Sequence, residues 1–89
     1  MARIEFATQD RTDAAAQGGA PDALFELGLI YCTGRDVEID LVEAHKWFNL
    51  AAVRGNANAK LYRAEIAREL TRPEIAMAQR RAREWLALN

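Results

Sequence analysis

An all-α fold of two stacked antiparallel helical hairpins is predicted by three observations. The stretch from Gly19 to Asn56 reads as a helix, a tight turn, a second helix and a glycine that restarts the cycle. Gly55, Ala59 and Ala64 fall 36 residues after Gly19, Ala23 and Gly28, a period typical of helical-hairpin repeats. The run Glu-Ala-His-Lys-Trp-Phe at 43–48 is echoed by Arg-Ala-Arg-Glu-Trp-Leu at 81–86, a shift of 38. The chain therefore divides into a lead-in (1–18), a first helical-hairpin repeat (19–54) and a second, divergent terminal repeat (55–89). Repeats of this kind present surfaces to other proteins more often than they do chemistry.

Each element has a local cause. In the lead-in, Asp10 or Thr12 would cap a short helix through residues 14–16, ended by Gly18-Gly19; Ile4 and Phe6 alternate as in a strand, but two residues decide nothing. The first clear helix runs over about 21–33. Pro21 suits a first turn, where a missing N–H costs nothing. Ala23, Leu27 and Ile30 recur at helical spacing and are expected to face inward. Gly28 sits mid-helix at a cost of about 1 kcal/mol relative to Ala, which a close approach of the partner helix would justify. Gly34 supplies the left-handed residue that ends the helix.

Asp40, with Glu43 three residues on, forms a capping-box-like pair for the second helix, about 41–54. Leu41, Ala44, Phe48 and Ala51 are its apolar stripe, flanked by Trp47 and Ala52, and Gly55 stops it. The third helix is expected over about 56–70, with Ala59, Ala64 and Ala67 as small packing residues. Thr71-Arg72-Pro73-Glu74 is a second capping box with proline in the first turn. The fourth helix continues to about 87 through Ile75, Ala78, Ala82 and Trp85. Small residues on one helix are expected to receive Trp and Phe from the next.

Eighty-nine residues make one small domain with a modest core. Apolar residues are 51% and charged residues 28% of the chain, which fits a globular fold and argues against disorder. The net charge of −1 conceals a split. Residues 1–44 carry three basic and nine acidic side chains, a net of −6; residues 45–89 carry nine basic and four acidic, a net of +5. Such asymmetry can steer head-to-tail association or an anionic ligand, or be an ordinary mixed surface. One cysteine permits no disulfide framework and no cysteine-based metal site. A reducing compartment, the cytoplasm, is expected. No signal peptide and no membrane span is read in the sequence.

Gly19, Ala23, Leu27, Gly28, Tyr31, Gly34, Val37, Asp40, Ala44, Trp47, Ala51, Ala52, Gly55 and Asn56 together resemble the Sel-1-like repeat, a branch of the tetratricopeptide-like α/α repeats. One complete unit covers 19–54, and 55–89 resembles a second, divergent one. The family favours Gly where this chain has Asp36, and Asp is among the few other residues that tolerate a left-handed backbone. The second unit lacks the Gly-x-Gly-Val loop and has Ala64 in place of the mid-helix Gly, as terminal units do. The resemblance implies a right-handed superhelical stack and an adaptor or scaffold role for other proteins.

The residues themselves form no visible catalytic constellation. His45 is the only histidine, and Glu43, two residues away, does not share its helix face, so a packing or surface role is favoured over acid–base work. A zinc site built on one His and one Cys would need carboxylates besides. Cys32 lies near a helix C-terminus, where the dipole disfavours a thiolate. The chain has no serine and no phosphate loop. Trp47 and Trp85 occupy matching places in the two hairpins, which favours core packing over binding hot spots.

Two surfaces are left to carry function. In stacks of the resembled type the first helices of successive hairpins line the concave side. There Asp22, Glu26, Leu29 and Thr33 would stand beside Asn58, Tyr62, Glu65 and Glu69, a mildly acidic surface suited to a basic peptide or helix, or a plain solvated face. The second surface is basic: Arg80, Arg81 and Arg83 with Arg72 on the last helix. It reads as a solubilising cap, a protein contact, or a weak nucleic-acid site, the last disfavoured because no aromatic residues interleave the cations. The expected function is a non-enzymatic protein-interaction module with a protein or peptide partner, no membrane partner and no cofactor. The alternatives are a self-assembling homo-oligomer and nucleic-acid binding through the arginine cluster.

Overall fold

The computed structural model describes residues 18–89, and these form four α-helices with no strand among them. The short helix expected in the lead-in lies outside the described residues. We number the helices α1 (Pro21–Thr33), α2 (Leu41–Val53), α3 (Ala57–Ala67) and α4 (Arg72–Leu88).

Local chemistry sets nearly every boundary. Pro21 opens α1 without a side-chain cap, and Gly34 closes it in the left-handed conformation (φ 75°), its N–H donating to the Ile30 carbonyl. Asp36 also adopts positive φ (65°), as the turn requires of the residue standing in for glycine. The Asp40 carboxylate accepts from the Glu43 N–H at 3.1 Å and caps α2. The reciprocal half of that box is absent, because Glu43 turns instead to Lys46 and Arg81. Asn56 caps α3, accepting from the Ala59 N–H at 3.0 Å. The capping box at α4 is complete: Thr71 accepts from the Glu74 N–H (3.3 Å) while Glu74 accepts from the Thr71 N–H (2.7 Å). α3 ends at Ala67, three residues short of the expectation. Residues 68–70 tighten into turns whose N–H groups reach back three residues. Thr71 must be extended (ψ 165°) to cap α4, and the chain leaves the helix before it.

α2 is the common packing partner of the other three helices. α1 crosses it antiparallel: Gly28 lies on Phe48 near mid-helix, while Gly19, before the start of α1, meets Arg54 at the end of α2. A Cβ placed on Gly28 would overlap the Phe48 ring, so the glycine is there for the close approach. α4 runs parallel to α2, with Arg81 on Glu43 (3.0 Å) and Trp85 edge-on to Trp47 (6.0 Å between centroids). The core is Phe48, Leu24, Leu27 and Leu50, all essentially inaccessible, with Tyr31, Trp47, Ile66 and the alanines Ala44, Ala51, Ala59 and Ala82 around them. Burying one such large side chain contributes about 1.5–3 kcal/mol.

Two expectations about facing are corrected. On α1 the buried stripe is Leu24, Leu27, Gly28 and Tyr31, while Ala23 and Ile30 are only half-buried. The helix is rotated by about one residue from the expected orientation, which brings Gly28 onto Phe48. On α3, Ala59 and Ile66 are buried but Ala64 is exposed. α3 packs on α2 and not principally on α4, so Ala64 receives no large side chain and Leu86 stays 37% exposed.

Candidate functional site

Phe25, Phe48 and Tyr62 meet where α1, α2 and α3 converge. Phe25 and Tyr62 are edge-to-face at 5.0 Å, and each is within 5.6 Å of Phe48. This cluster holds α1 beside α3. Asn56 adds a second tie by donating to Asp22 at 3.1 Å. The two helices therefore run parallel, with the candidate concave residues along the pair.

Those residues differ in what they offer. Asp22 is exposed but already accepts from Asn56. Glu26 is exposed and ion-paired with Arg35 at 2.6 Å. Leu29 is half-buried against the core, leaving only part of its surface to a ligand. Thr33 is exposed, its hydroxyl donating to the Leu29 carbonyl at 2.6 Å. Asn58 is exposed, Glu65 is exposed with Arg68 at 3.6 Å, and Glu69 is exposed in the turn beyond α3 and not on the helix as expected, because α3 ends at Ala67. Tyr62 is 43% exposed with its ring seated on two phenylalanines, which makes it an aromatic anchor of the surface. Arg35 and Arg68 make the face less acidic than its helical residues alone suggest. Both exposed pairs are screened and contribute little to stability.

Phe25 was missed by sequence reasoning. It stands three residues after Asp22 and four before Leu29, on the same helix stripe, and that spacing was the available signal. The arginine cluster is also divided by the structure. Arg81 turns inward to Glu43, whereas Arg72, Arg80 and Arg83 are exposed on the outer side of α4.

The groups able to do chemistry are scattered. His45 is 3% exposed on α2, with no hydrogen-bond partner at Nδ1 among the described residues. Burial, and secondarily the Arg63 guanidinium, push its imidazole below the ordinary histidine range. Arg63 itself donates to Asn49 at 2.5 Å. Cys32 is half-buried, its thiol directed at the Leu29 carbonyl (3.6 Å), and burial pushes its pKa up, away from a nucleophilic thiolate. Trp47 is a core residue, 3% exposed, and Trp85 is half-buried against it and beneath the Arg54 guanidinium (5.5 Å). Among the described residues no three His, Cys, Asp or Glu side chains are grouped to hold a metal ion. No helix among them is long and apolar enough to cross a membrane. Comparison of the chain with models of known protein families, with curated proteins and with solved structures gives no match.

Proposed function

We propose that this chain is a non-enzymatic, cytoplasmic protein-interaction module of the Sel-1-like type, two stacked helical hairpins that receive a basic peptide or helix along the α1–α3 face. The observation that carries this reading is the register of the contacts. Asp22 meets Asn56 and Glu43 meets Arg81, pairs 34 and 38 residues apart. Phe25 with Tyr62 and Trp47 with Trp85 have the same order of separation. Residues about one repeat apart touch, as the 36-residue sequence period requires of stacked units. Tyr62, 43% exposed on two phenylalanine rings, with Glu65 one turn on along α3 and Glu26 next to Phe25 on α1, supplies the aromatic anchor and carboxylates that a cationic segment needs.

The test is fluorescence anisotropy with a panel of labelled Lys/Arg-rich peptides, both helical and extended. The wild type should bind a subset, and Glu26→Ala with Tyr62→Ala should abolish that binding while the helical circular dichroism signal is kept. Binding that survives the double substitution in a folded protein would remove the α1–α3 face from consideration.

A further inference from the structure

Two exposed patches of opposite charge make no ion pair among the described residues, and each sets two like charges beside one aliphatic side chain. The first is the α1–α2 loop. Asp36 and Glu38 are exposed, and Ile39 beside them is 63% exposed. The loop has a defined shape. Gly34 and Asp36 take positive φ, Val37 packs against the core, and the Asp40 N–H donates to the Tyr31 carbonyl at 3.0 Å. The second patch is the outer face of α4. Arg80, Arg83 and Leu86 follow at three-residue steps, so they are neighbours on one side of the helix. The two arginines are exposed and Leu86 is 37% exposed. No ion pair among the described residues involves Asp36, Glu38, Arg80 or Arg83. Glu84, four residues after Arg80, does not pair with it either.

We infer that a second copy of this chain is the partner of both patches: Arg80 and Arg83 of one copy meet Asp36 and Glu38 of the next, with Leu86 against Ile39. The match is one of number and kind, two like charges and one aliphatic side chain on each side, with opposite sign. It follows the segregation of charge along the chain, −6 over residues 1–44 and +5 over 45–89. Complementary patches on one surface allow either a two-fold dimer in which each copy uses both, or a head-to-tail contact that closes into a ring or extends as a chain of copies. A nucleic acid fits the arginines less well. The neighbouring apolar group is a leucine and not an aromatic platform for bases, and the chain as a whole is slightly acidic.

The experiment is sedimentation velocity of the full chain over a concentration series, at low and at high salt. Self-association is expected at low salt, weakened on the order of tenfold or more at high salt because exposed charges carry it. Arg80→Glu with Arg83→Glu should be monomeric, and so should Asp36→Asn with Glu38→Lys. Asn is chosen at position 36 because it tolerates the left-handed backbone. Mixed together, the two variants should associate again, since each restores the patch the other lacks. All four positions are exposed, so the thermal melts should match the wild type. A wild type that stays monomeric at low salt overturns the proposal. So does association indifferent to the substitutions, or a mixture that stays monomeric. An oligonucleotide gel shift that depends on Arg80 and Arg83, seen with a monomeric protein, would reassign the arginine face to phosphate and overturn it likewise.

Discussion

His45 places a titratable group where water does not reach. Its imidazole is 3% exposed on α2, and the positive charge of Arg63 on α3 acts on it. Both burial and that positive charge disfavour the imidazolium. The folded state therefore binds its proton more weakly than the unfolded chain, whose histidine titrates near about 6.5. Above that value both states are neutral at this position and the full stability is present. As pH falls below it the unfolded state takes up a proton that the folded state refuses, and stability declines until the lowered folded pKa is reached. The urea midpoint should thus fall between about pH 7.5 and about pH 5.5, and the fall should be much smaller in His45→Gln. A wild-type midpoint that is level over this range, or no steeper than that of His45→Gln, would mean that the folded imidazole takes up its proton as readily as the unfolded one.

At the scale of the helices, boundaries are local and packing is not. Thr71 and Glu74 satisfy each other's backbone N–H groups whatever the rest of the chain does, and the same holds for Asp40 at the start of α2. Removing such a cap costs about 1 kcal/mol. For a domain of this size that lowers Tm by about 4–8 °C. Thr71→Ala should show this drop in a thermal melt and Thr71→Ser should show little of it. Equal melts for both would mean that α4 is held only by its side-chain contacts. The starts of α1, α2 and α4, the left-handed turn at Gly34 and Asp36, and the close approach at Gly28 were all legible in the sequence, because each depends on a few adjacent residues or on a glycine that needs a reason. The orientation of α1 was not, because the stripe of Ala23, Leu27 and Ile30 and the stripe of Leu24, Gly28 and Tyr31 have the same period. Only the position of Phe48 chooses between them. Ala64 was misplaced for a related reason. Its correspondence with Gly28 holds in sequence, but α3 and α4 each turn to α2 and leave it exposed. On the candidate surface, helical spacing located Tyr62 and Glu26 but not Arg35, which reaches Glu26 from the following turn nine residues away.

In the whole molecule α2 is the hub, and the helices around it are not held equally. α1 fully buries Leu24 and Leu27 and brings Gly28 and Tyr31 to the interface. α4 is longer, yet only Ala78 and Ala82 are buried in it. Its remaining ties are side chains at the edge of the core: Trp85 against Trp47, Trp85 beneath Arg54, and Arg81 on Glu43. Two buried methyl groups, a half-buried tryptophan and a part-buried ion pair bury less apolar surface than two leucines and a tyrosine. α4 should therefore open as a unit before α1 and α2 separate, a sub-global step below the free energy of complete unfolding. Native-state hydrogen exchange should find α4 amides exchanging sooner than those of α2, with the slowest protection around Phe48 and Leu50. Trp85→Ala should widen the difference. Removing a buried Trp costs about 3–5 kcal/mol, and the half-buried Trp85 should cost about 2 kcal/mol, nearly all of it in the opening of α4 and little in the protection of α1. Amides of all four helices exchanging together, in the wild type and in Trp85→Ala, would instead make α4 an integral part of a single cooperative core.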